Sequence, residues 1–151
     1  FSQAKSSFEQ AVKNWEDAVI YCDGGASSQI RNNLDIARRQ VHAMTCSIHL
    51  QEGQKITQGE GLMKRKAYQR AAKVFSRAAG HFEWVQSHCQ DLFQNLDLRN
   101  SIAMARELVS QAQCSHFKDR FTEAQTELTS SMDNNRWPDA LKHLDAVQRL
   151  V

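Results

Sequence analysis

Residues 58–79 read QGEGLMKRKAYQRAAKVFSRAA, and within them Tyr68, Ala71, Phe75 and Ala78 are spaced 3, 4 and 3 apart. That spacing puts all four on one face of an α-helix, with alanine where a neighbouring helix must come close. The same order of aromatic, alanine, bulky and small or branched residue returns as Phe8/Ala11/Trp15/Ala18 and as Trp137/Ala140/Leu144/Val147. A face built this way needs a partner helix. Three copies therefore point to an all-α chain, an antiparallel array of about five helices, three of them long.

Composition supports that class. A chain of 151 residues fits one domain, 1–151, with a single extended core. One proline and six glycines leave few breaks, while Ala, Leu, Gln, Arg and Lys favour helix. There is no run of 18 apolar residues and no charged, apolar, small-residue leader. The start at Phe1 without Met reads as a fragment of a longer polypeptide. Cys22, Cys46, Cys89 and Cys114 lie far apart with no Cys-x-x-Cys pairing. They are read as buried free thiols in a reducing compartment in preference to disulfides. With no Asn-x-Ser/Thr sequon, the expected location is intracellular and cytoplasmic.

The copies begin at 8, 68 and 137, intervals of 60 and 69 residues, near twice the period of a thirty-odd-residue helix-turn-helix repeat. Residues 58–79 resemble the tetratricopeptide repeat. Gly59 falls at that family's small first-helix position, Leu62 at its first-helix packing position and Tyr68 at the turn aromatic. Ala71, Phe75 and Ala78 fall on its second helix. NNRWPDALKHLDAV, from Asn134, is similar to the same second helix after a polar turn, although Leu128 and Ser131 stand where Gly59 and Leu62 stand in the earlier copy. The resemblance covers about a third of the chain. It implies helical hairpins stacked into an array that displays binding faces.

Five helical segments follow from the apolar seams. The first runs from Ser2 to Cys22 and stops at Asp23/Gly24/Gly25. The second is capped by Ser27 or Ser28 and continues toward Ile56, to be broken by Gly59 and Gly61. A third seam runs from Leu62 to Leu96 straight through Gly80. The fourth runs from Ile102 to Leu128 with a slip in phase at His116/Phe117, and closes at Asp133/Asn134/Asn135. The fifth, Trp137 to Val151, carries Pro138 in its first turn, where a missing amide donor does no harm. Unbroken, the middle three span about 45 Å each, longer than tetratricopeptide hairpins, which favours an elongated bundle.

Charge is concentrated in one place. Lys64, Arg65, Lys66, Arg70, Lys73 and Arg77 supply six positive charges with no acidic residue between Gly61 and Gly80, in a chain whose formal net charge is only +2. Lys66, Arg70, Lys73 and Arg77 stack as one stripe, and the stripe repels itself. Either carboxylates on an adjacent helix relieve it, or an anionic partner does. Trp84, about 100° or more out of phase with Phe82 and Val85, joins these six as a candidate partner-binding residue. Its structural alternative is burial against a second neighbour.

Other chemistry is thin. His42, Cys46 and His49 can point the same way on one helix, but three ligands are not four, and they are read as a small buried residue flanked by boundary histidines. No metal or other cofactor is expected. No nucleophile elbow, phosphate loop or His-Glu-x-x-His motif occurs, so no catalytic residue is assigned. The expected function is a non-catalytic helical interaction or scaffold module that docks a protein partner, such as an acidic segment, through inter-helix grooves and the basic stripe. A structural spacer or self-assembling rod is the alternative, followed by nucleic-acid or anionic-membrane binding.

Overall fold

The computed structural model describes residues 2–21, 28–94 and 96–148, and among them the chain is an all-α helical bundle with no strand. The helices are α1 (Ser2–Tyr21), α2 (Ser28–Gln54), α3 (Ile56–Lys64), α4 (Tyr68–His88), α5 (Leu98–Asp133) and α6 (Trp137–Gln148). None is long and apolar enough to cross a membrane. The turn at Asp23/Gly24/Gly25 and the cap at Ser27 lie outside the described residues, as do Cys22 and the last three positions.

The main correction concerns where the third seam breaks. Gly59 and Gly61 do not stop a helix; they lie inside α3. The chain turns instead at Arg65–Ala67, so the seam from Leu62 to Leu96 belongs to two helices and ends at His88. The Ala67 amide donates to the Leu62 carbonyl at 2.9 Å and the Lys66 amide to Met63 at 2.9 Å, while Lys66 adopts φ 59°. These paired bonds form a Schellman closure with lysine in the left-handed position that glycine usually fills. The end of α5 repeats it: Arg136 N donates to Ser131 O at 2.8 Å, Asn135 N to Met132 O at 3.0 Å, and Asn135 has φ 56°. Each closure is followed one residue later by the aromatic that opens the next helix, Tyr68 or Trp137. Gly80 and His116/Phe117 interrupt nothing, and α5 runs for 36 residues. Its start was displaced in the sequence reading because Asp97 acts as the cap, accepting from the Asn100 amide at 3.2 Å.

The residues gather into two compact units in place of one extended core: Phe1–Lys55 with Arg77–Ala103, and Ile56–Ser76 with Met104–Val151. In the first unit α1 packs on α2, and Leu34, Ala37, Phe82, Val85, Leu98 and Ile102 are buried. Cys46 and Cys89 form a disulfide across 43 residues of sequence. This overturns the free-thiol reading for that pair and, with it, the argument for a reducing compartment. Cys114 is free but exposed. In the second unit Phe75 is fully enclosed, and α5 buries mainly alanines, Ala105, Ala112 and Ala124.

Each unit seats one phenylalanine of α4 on a glycine. A Cβ on Gly53 would lie 2.6 Å from the Phe82 ring, and one on Gly59 would overlap the Phe75 ring. The glycines are there for close approach, since neither has a positive φ. The three aromatic/alanine faces are unequally covered. Phe8, Ala11, Trp15 and Ala18 are half-buried. Ala71, Phe75 and Ala78 are buried, whereas Trp137 and Leu144 of the third copy are exposed.

These contacts separate the glycines by sign. Gly59→Ala lowers the melting temperature, because overpacking costs about 1–3 kcal/mol against a helix-propensity gain of about 1 kcal/mol. Gly80→Ala, where an added Cβ meets nothing within 4 Å, raises it by the equivalent of about 0.5–1 kcal/mol. Thermal melts of the two variants check this.

Candidate functional site

In the second unit the opening turns of α4 face the middle of α5 across a groove of about 340 Å³. Tyr68, Gln69, Ala72 and Lys73 line one wall; Ala112, Gln113, His116 and Phe117 line the other. The alanines keep the floor shallow, and Phe117 stands 55% exposed beside it. Two contacts fix the walls. The Tyr68 hydroxyl donates to Asp119 Oδ2 at 3.3 Å, and Gln69 Nε2 meets His116 Nε2 at 3.0 Å. As the amide nitrogen donates, that ring nitrogen accepts, which places the His116 proton on Nδ1.

Of the six cations, Lys73 lines this groove. Lys66, on the turn, pairs with Asp119 Oδ2 at 3.3 Å. Lys64, Arg65, Arg70 and Lys73 are exposed and form no ion pair among the described residues. Asp119 is engaged by Tyr68 and Lys66, so Arg70 and Lys73 keep their positive potential on this helix. Arg77 belongs to the first unit and is also exposed.

Trp84 is not the open contact residue expected. It is half-buried in the first unit, where its indole stacks with His49 (centroids 3.8 Å apart, planes at 16°) and with His88 (4.6 Å, 13°). His88 Nδ1 lies 2.9 Å from the Trp84 carbonyl oxygen, to which it donates. His49 Nδ1 in turn lies 3.1 Å from His81 Nδ1. Burial holds the His49 pKa below its ordinary value, helped by His81, Lys5 and His88 and opposed by Glu52. Glu52 itself is held low, first by the hydrogen bond from Lys55.

The metal and thiol candidates resolve without a site. Cys46 is consumed by the disulfide, and no group of three potential ligands converges among the described residues. His42 Nε2 lies 3.6 Å from Asp91 Oδ1 and 3.7 Å from Cys46 Sγ. His42 Nδ1 lies 4.0 Å from the same sulfur, which is held in the disulfide and carries no thiol proton for the imidazole to take. Compared with protein-family models, with curated proteins and with solved structures, the chain matches none.

Sequence reasoning found the cations but missed the groove. Asp119 and His116 lie about fifty residues from Tyr68 and Gln69, and nothing local signals that pairing. The histidine cluster escaped for a similar reason: His49 was weighed with His42 and Cys46 on its own helix, whereas its partners are on α4.

The His49 shift fixes a pH dependence. Between its folded and unfolded pKa values the unfolded chain binds more protons, so the stabilisation is complete above about pH 6.5 and is lost as pH falls from there through the folded value. The melting temperature of the wild type therefore drops more between about pH 7.5 and about pH 5.5 than that of His49→Gln. Equal drops in differential scanning calorimetry would contradict it.

Proposed function

We propose that this chain is a non-catalytic protein-interaction module whose second unit docks an acidic segment of a partner protein at the α4/α5 groove. The observation that carries the reading is a groove lined by Lys73 with Phe117 exposed at its edge, next in the chain to Lys64, Arg65 and Arg70, all four cations forming no ion pair among the described residues. Uncompensated like charges on one turn and one helix cost free energy through mutual repulsion, and a carboxylate-bearing ligand relieves it. An apolar anchor in the groove supplies affinity; the surrounding charges supply speed of encounter and discrimination. Arg77 and Trp84 are not assigned to this surface. The resemblance of residues 58–79 to tetratricopeptide repeats is consistent with a role in peptide recognition and adds no residue to the site.

The disulfide favours an oxidising location, since such bonds persist in secreted, periplasmic or lumenal settings. Nucleic acid is the weaker reading, because no aromatic platform is interleaved with the cations and the overall isoelectric point is only about 8.4.

Fluorescence anisotropy tests the proposal with three probes: a labelled Glu-rich amphipathic peptide carrying leucine and phenylalanine anchors, a single-stranded oligonucleotide, and anionic vesicles. The peptide binds, and Arg70→Glu with Lys73→Glu weakens it by about tenfold or more while the melting temperature shifts by no more than about 0.5 kcal/mol equivalent. Phe117→Ala weakens it without changing the salt dependence. Tighter, steeply salt-dependent binding of the oligonucleotide would transfer the site to nucleic acid, and no binding of any probe would leave the spacer reading.

A further inference from the structure

The histidines of the first unit form an arrangement that the docking surface does not use. His49 of α2 and His81 of α4 face each other through their Nδ1 atoms at 3.1 Å, with ring centroids 5.0 Å apart and planes at 64°. A nitrogen-to-nitrogen contact at that distance is one hydrogen bond: one Nδ1 carries the proton and the other offers its lone pair. His49 is at the same time stacked on Trp84, which also stacks with His88. The charged groups acting on His49 are Lys5 from α1, Glu52 from its own helix, and His81 and His88 from α4. Glu52 is already engaged by Lys55 at 2.5 Å, and Lys5 by Glu9 at 3.1 Å.

We infer that the His49–His81 hydrogen bond is an acid-operated latch that holds Trp84 stacked at neutral pH and releases it when both imidazoles become protonated. One added proton leaves the bond intact: it settles on an outer Nε2, and the resulting imidazolium donates from Nδ1 to its neutral neighbour. A charged ring also stacks acceptably on an indole. The second proton removes the acceptor. Two N–H groups then point at each other with like charges behind them, and Lys5 and His88 add to the positive field. Burial, and then the charge on His81, hold the His49 pKa below the ordinary histidine value of about 6.5, and its protonation completes the opening there. The lowered pKa of His49 agrees with this order of events.

The opening is local. Cys46 and Cys89 are covalently joined between α2 and the end of α4, one helical turn before His49 on α2, and Phe82 is seated on Gly53 one turn after it. Neither contact titrates, so α2 and α4 stay paired while His49 and Trp84, between these two fixed points, and His81, next to Phe82, repack. Acid thereby bares Trp84 without unfolding the unit.

Acrylamide quenching of Trp84 tests the latch, in protein carrying Trp15→Phe and Trp137→Phe so that Trp84 is the sole emitter. From about pH 8 to about pH 5 the quenching constant is expected to rise with a midpoint below about 6.5, while far-UV circular dichroism is unchanged. His88→Gln retains the rise; His49→Gln and His81→Gln each abolish it. An unchanged quenching constant would overturn the inference, and so would a rise that survives in either of the last two variants. Helix loss at the same pH would also overturn it, since the exposure would then be global acid unfolding. If one variant fails to fold, the other decides.

Discussion

Two phenylalanine rings lying on bare helical backbone are the contacts on which the packing depends. Phe75 and Phe82 are seven residues apart on α4, two turns along the same face, and each is received by a glycine, Gly59 or Gly53. Without a Cβ beneath them the rings come up against the helical backbone, and Ala71, Ala78 and Ala79 of the same helix are buried as well. Burial of a phenylalanine in such a seat is worth several kcal/mol by the cost of its truncation to alanine, about 3–5 kcal/mol. The third aromatic/alanine copy shows the converse. Trp137 and Leu144 remain exposed although their helix is formed.

How far the sequence discloses this structure depends on what each residue is used for. Periodicity placed the helices well, because period 3.6 records burial on one face, and α1 and the start of α6 fall where their seams put them. Punctuation was less legible. Gly59 and Gly61 carry the usual sign of a helix stop, yet Gly59 serves packing, and the turn falls to Lys66, a residue with no local turn signature. Its left-handed conformation is closed by the local Schellman hydrogen bonds from Lys66 to Met63 and from Ala67 to Leu62, which a lysine does not announce in sequence as a glycine would. Cysteine spacing misled in the same way. Cys46 and Cys89 are far apart in sequence and adjacent only once α2 and α4 have paired.

The candidate site divides along the same line. Clustered charge is a one-dimensional property and was readable; the groove beside it is not, because its walls come from residues some forty-five positions apart. Trp84 was correctly marked as out of phase with the α4 seam, but phase says which way a side chain points and not what meets it. What meets it is His49, from another helix. The two units thus carry different chemistry: a cation-bearing groove lined by Lys73 and Phe117 in one, and a proton-sharing histidine pair beside a covalent tether in the other.

The most direct test of the packing account is a double-mutant cycle joining Gly59→Ala and Phe75→Leu, read by urea denaturation. If the ring is what the glycine accommodates, Gly59→Ala destabilises the wild type and becomes neutral or stabilising in the Phe75→Leu background, with a coupling of about 1 kcal/mol or more. Additive effects, with the glycine substitution equally harmful in both backgrounds, would contradict the account.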